Sequence, residues 1–233
     1  MAEFQDDRGK LLFKLVYYGP ALSGKTTNLL RLHDSLQAPV RGNLVTLDTQ
    51  GDRTLFFDML PVGFRAPSGL LLKFKLFTVP GQVQHDATRK AVLSRADGVV
   101  FVADSQRTQG LNNAEAFQNL ADNVARVGLD FETLPLVVQF NKRDLADVYS
   151  EQEIRARWRD HDWPLVFASA LSGIGVRETF VALLRAVYRA VDATCELSTT
   201  HGLTEAHMIS SVAHPEDVLG AGHPRCDTGP IRH

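Results

Sequence analysis

Four short stretches of the chain are apolar almost without interruption: residues 11–18, 99–103, 136–140 and 165–168. A strand that is apolar on both faces must be covered on both, so these runs predict central strands of a parallel sheet. Between them the period changes. Ala114, Phe117, Ala121, Val124 and Val127 recur every three or four residues and predict one face of a helix. Phe180, Leu183, Leu184, Val187 and Val191 predict another, with Arg185 and Arg189 turned to solvent. Strands alternating with helices imply right-handed crossovers and a doubly wound α/β sheet. Residues 70–78 differ: Lys73 and Lys75 alternate with Leu72, Phe74 and Leu76, the period of a half-exposed strand. Its expected neighbour at one end of the sheet is 55–60. There two readings stay open. Leu55, Phe57 and Met59 form a core face, or the run through Leu60 and Pro61 is a partly exposed patch for partners.

Composition narrows the class. The chain has 233 residues, 44% hydrophobic and 22% charged, with 25 basic against 27 acidic side chains. A formal charge of −2 excludes a generally basic nucleic-acid binder. No apolar run is long enough to span a bilayer, the first ten residues are polar, residue 2 is Ala, and the C-terminus is no prenylation box. The expectation is a cytoplasmic protein without membrane insertion. Cys195 and Cys226 cannot build a disulfide framework. The character changes near Ala193. Residues 195–233 hold five of the eight histidines, both cysteines and three prolines, with little apolar periodicity and no zinc-finger spacing. One domain over 1–194 is therefore expected, followed by a disordered tail over 195–233 in which Ala206 to Val212 forms at most a turn or two.

Candidate chemistry begins where the first apolar run ends. Gly19-Pro-Ala21-Leu22-Ser23-Gly24-Lys25-Thr26 fits G-x-x-x-x-G-K-[ST] between a predicted strand and a helical pattern over 27–36. The glycines let successive backbone N–H groups, through Thr27, curl around phosphate oxygens. Lys25 supplies a charge for the β- and γ-phosphates, and Thr26 a hydroxyl for Mg2+, a cation that prefers oxygen. Asn141-Lys142-Arg143-Asp144 follows another apolar run, at the carboxyl edge where such sheets bind ligands. A carboxylate at Asp144 can accept from guanine N1–H and its amine, a donor pair adenine lacks. Lys142 can lay its stem along the base. Ser169 and Ala170 follow the last run and place a backbone N–H for the guanine oxygen.

These blocks, with Thr54, Pro80-Gly81-Gln82 and the stretches DRTLFFDMLP, FTVPGQVQHDATRK and FVADS, resemble the Ras-like small GTPases over residues 10–192. Within them the resemblance is to the bacterial gliding-motility, or MglA, type. It implies a P-loop Ras-like G domain with a mostly parallel sheet flanked by helices, acting as a GTP/GDP switch with Mg2+. It also implies a Roadblock-fold GTPase-activating partner of the MglB kind, effectors in polarity or motility, and a monomer when free. By the same resemblance Thr54 joins Thr26 on Mg2+, Gly81 N–H approaches the γ-phosphate, Gln82 orients the attacking water, and Arg53 and Lys25 stabilise transferring charge. Two positions depart from the Ras-like pattern. Thr78 stands where an acid usually holds a metal-bound water, and Ala21 where glycine is usual. Each points toward weaker Mg2+ binding or slower turnover.

Two other function classes remain to be weighed. A metabolic P-loop ATPase or kinase is disfavoured by Asn141 to Asp144. A GTP-binding scaffold with little hydrolysis is suggested by Ala21 and Thr78, and opposed by the presence of both Arg53 and Gln82.

Overall fold

The computed structural model describes residues 3–5, 9–47, 57–81 and 86–212. The predicted strand at 11–18 is β2 (Lys10–Tyr18), with β1 (Glu3–Gln5) antiparallel to its first residues. It leads into α1 (Lys25–Ser35). Then come β3 (Val45–Leu47), β4 (Phe57–Arg65), β5 (Leu71–Thr78), α2 (Asp86–Leu93), β6 (Gly98–Asp104) and α3 (Gly110–Arg126). The chain continues through β7 (Leu136–Asn141), α4 (Glu151–Arg157), β8 (Leu165–Phe167), α5 (Val176–Cys195) and α6 (Glu205–Val212). Among the described residues the strands form one eight-stranded sheet. Its order is β3-β4-β5-β2-β6-β7-β8 with β1 beside the start of β2, parallel from β5 through β8 and antiparallel at β3-β4, β4-β5 and β1-β2.

Apolar side chains on both faces of β2 divide the interior in two. Leu11, Phe13, Leu15 and Tyr17 pack with α1, α5 and α6, while Val16 and Tyr18 pack with α2, α3 and α4. All seven residues of β6 are buried, as are all six of β7, which accounts for their nearly continuous apolar runs. β5 shows the predicted period of two: Leu72, Phe74 and Leu76 are buried, Lys73 and Lys75 exposed.

Three details differ from expectation. In β4 the buried residues are Asp58, Leu60 and Val62, while Met59 is only half-buried. The expected Leu55/Phe57/Met59 core face is thus one residue out of phase at Met59, and a one-residue step in a strand reverses which side chains face inward; Leu55 and Phe56 lie outside the described residues. The buried stripe of α3 is Ala116, Leu120, Asn123 and Val124, with Ala114 exposed. A polar residue belongs to that stripe because Asn123 Nδ2 donates to Asp86 Oδ1 at 2.8 Å and to Tyr18 Oη at 3.2 Å.

The third difference is at the C-terminal end. Disorder expected from residue 195 is not what the structure places there. The chain turns back at Glu196, in the left-handed region at φ 49°, and α6 returns along α5 and β4. Leu197, Leu203, Met208, Ile209 and Val212 are buried. Arg189 donates to Glu205 at 3.0 Å while staying exposed to solvent as expected, and Arg185, half-buried, approaches the same carboxylate at 3.5 Å. Tyr188 Oη donates to the Leu203 carbonyl at 2.9 Å. Residues 213–233 lie outside the described residues. Among those described, no helix is long and apolar enough to cross a membrane, and no group of His, Cys, Asp or Glu is placed to hold a metal ion.

Candidate nucleotide site

The loop between β2 and α1 is shaped by its glycines. Gly19 and Gly24 have φ of +146° and +97°, and a Cβ on either would overlap a neighbour, Val102 O in the first case and Asn141 Nδ2 in the second. Leu22 also has a positive φ, 61°, with its side chain out in solvent. Ser23 is fully buried and its Oγ has no partner among the described residues. The Lys25 ammonium is buried and donates to the carbonyls of Gly19 at 3.0 Å and Pro20 at 2.6 Å. Desolvation, and then the positive charge of Arg89, push its pKa down to about 7. Among the described residues no carboxylate pairs with it. A buried cation held by carbonyl dipoles at the start of α1 fits a bound polyphosphate, whose charge would restore the protonated form.

The loops after β7 and β8 are tied to this turn. Asn141 Nδ2 donates to Ser23 O at 2.8 Å, and Asn141 Oδ1 accepts from Ala170 N–H at 2.8 Å. One side chain therefore spaces the phosphate loop from the expected base loops. Lys142, at φ 67°, donates to the buried Asp104 carboxylate at 2.6 Å, which fixes its ammonium end. Ser169 Oγ donates to Asp144 Oδ1 at 2.6 Å, fixing that carboxylate. Asp144 is exposed rather than buried, and the Ala170 N–H expected for the guanine oxygen is engaged by Asn141.

Thr26 Oγ1 donates to Asp58 Oδ2 at 2.7 Å. Gly81 lies against the P-loop, where an added Cβ would overlap the backbone of Ala21. It is held there by Arg89, a residue that composition and periodicity did not single out. Arg89 is 1% exposed, donates from Nε to Pro80 O at 3.0 Å and from Nη1 to Asn119 Oδ1 at 2.7 Å, and also bonds Gly81 O. The structure thus brings together Gly19, Ala21, Leu22, Ser23, Gly24, Lys25, Thr26, Thr27, Gly81, Asn141, Lys142, Asp144, Ser169 and Ala170 around the carboxyl ends of β2, β5, β7 and β8. Arg53, Thr54 and Gln82 lie outside the described residues.

Residues 10–187 match the model of the ADP-ribosylation factor family. The chain belongs to this family of Arf- and Ras-like small GTPases. Its G domain is of the Ras-like P-loop kind. Among its relatives is the mutual gliding-motility protein MglA of Myxococcus xanthus (strain DK1622), 45% identical over 174 residues, which span 75% of this chain and 89% of that protein. For a small GTPase, guanine-nucleotide binding and GTP hydrolysis are the family's general activity. The segment carrying α6 lies beyond the family match.

Proposed function

We propose that this small GTPase is a guanine-nucleotide switch that binds GTP with Mg2+ and hydrolyses it slowly unaided. The observation that carries the reading is Asn141, bonded at once to Ser23 in the phosphate loop and to Ala170 in the base loop. A nucleotide bridging these loops would meet Lys25 with its phosphates and Asp144 with its base. The side chains suit Mg2+ as well, since Thr26 presents a hydroxyl oxygen beside a carboxylate. The bound metal would neutralise phosphate charge; Thr26 and Thr54 would hold it.

In the hydrolytic step Lys25 stabilises charge on the transferring phosphoryl, Gln82 positions water and Arg53 approaches from the chain's own loop. These roles for Gln82 and Arg53 rest on the resemblance. The MglA relative supports a role in gliding motility; the part in cell polarity, the cytoplasmic location, the monomeric free state and an MglB-like Roadblock-fold activating partner rest on the resemblance of the motifs. A second reading, a GTP-binding scaffold with little hydrolysis, is favoured by the close approach of Ala21 to Gly81.

The deciding experiment is displacement of fluorescent GDP with Mg2+ present. GTP is expected to displace it and ATP not; equal displacement by both would remove base selection by Asp144. Gln82→Leu then separates the two readings. It is expected to leave GTP binding nearly intact and slow phosphate release by at least about tenfold. An unchanged rate, in a single-turnover assay, would strip Gln82 of its role.

A further inference from the structure

Asp58 is 7% exposed at the start of the inward face of β4, among hydroxyls. Thr26 Oγ1 donates to its Oδ2 at 2.7 Å, Thr78 Oγ1 to the same oxygen at 3.1 Å, and Thr46 Oγ1 to Oδ1 at 3.0 Å. The Asp58 N–H in turn donates to Thr78 Oγ1 at 2.9 Å, locking the two residues across the β4-β5 ladder. Among the described residues no cationic side chain pairs with this carboxylate. Neutral hydroxyls satisfy its lone pairs but, among the described residues, leave its charge uncompensated, a costly arrangement for a buried anion unless a cation sits close by.

Position supplies the cation. One of the three donors, Thr26, is the residue whose oxygen is set to ligate Mg2+. A hydroxyl that offers its lone pair to a metal must point its O–H away from it, and Asp58 Oδ2 accepts that hydrogen bond. Thr78, directly opposite, cannot do this with a negative charge; its hydroxyl instead orients the carboxylate that can.

We propose that Asp58 is the carboxylate of this chain's Mg2+ site, a positioning residue that accepts the Thr26 hydroxyl hydrogen bond and sets negative charge beside the metal from β4. The inference rests on the nucleotide-switch reading above. It makes Thr78 no defect: the charge missing from the end of β5 is present one strand over.

The test uses the full chain loaded with fluorescent GDP, its release followed across free Mg2+ from chelator-depleted to millimolar. Wild-type release is expected to slow as Mg2+ rises. In Asp58→Asn the half-effective Mg2+ concentration is expected to rise about ten- to a hundredfold, with the Mg2+-free release rate changed by less than about twofold. A merely structural residue would shift the Mg2+-free rate instead. Returning a carboxylate from across the ladder, Asp58→Asn with Thr78→Asp, is expected to restore the wild-type Mg2+ dependence. An unchanged half-effective concentration in Asp58→Asn overturns the inference. Should that variant fail to fold, the double variant decides: wild-type-like dependence supports the inference, and a weakening of about tenfold or more overturns it. A wild-type chain that binds no GDP would instead defeat the nucleotide reading itself.

Discussion

Asp144→Asn is expected to lower GTP affinity by at least about a hundredfold and to improve binding of xanthosine triphosphate relative to GTP. The carboxylate can accept two hydrogen bonds from guanine. The amide keeps one acceptor and turns an N–H2 toward a donor edge, so one pairing becomes a donor–donor clash. Xanthine carries a carbonyl where guanine carries its amine, and that carbonyl can accept from the new amide. The loop itself should survive. Ser169 Oγ can donate to an Asn carbonyl as it does to Asp144 Oδ1 at 2.6 Å, and residue 144 is exposed, so no buried contact is lost. Competition of GTP and of xanthosine triphosphate against fluorescent GDP separates base recognition from collapse. Unchanged GTP affinity would take Asp144 out of base selection.

The phosphate and base loops were legible because each is a run of consecutive residues whose spacing carries its own chemistry. Gly24 shows how local this is: its φ of +97° is one that L side chains rarely adopt, whatever the rest of the sheet does. Asp58 and Arg89 were hidden for the opposite reason. Asp58 lies between two apolar residues, Phe57 and Met59, and only the register of β4 against β5 turns it inward toward Thr26 and Thr78. Arg89 looks like any charged residue on a short helix. It is buried because two carbonyls and the Asn119 amide, all from elsewhere in the chain, satisfy its donors. Non-local partners of this kind leave no periodic trace. Composition misled at α6 in the same way, since its polar residues point outward or to Arg185 and Arg189 while only Met208, Ile209 and Val212 form its buried face.

That buried face makes residues 196–212 part of the folding unit, and Met208→Asp tests it. Met208 is 1% exposed in the same core as Leu60 and Val62 of β4, Leu72 and Phe74 of β5, and Leu184 and Val187 of α5. A carboxylate there has no cation among its apolar neighbours, and an unpaired buried charge costs roughly 3–5 kcal/mol. For a domain of this size the melting midpoint should fall on the order of 10 °C. Ser210→Asp, on the exposed side of the same helix, is the control and should leave the midpoint where it was. If Met208→Asp melted like the wild type, α6 would be an appendage and the domain would end with α5, as composition alone suggested. If it melts early, α6 supports β4 from beneath, and β4 is the strand that carries Asp58 to Thr26. Damage at α6 should then also raise the Mg2+ needed to slow GDP release, whereas an exposed substitution on the helix should not. A C-terminal helix beyond the family match would thereby help to position the chemistry carried by the strand it packs against.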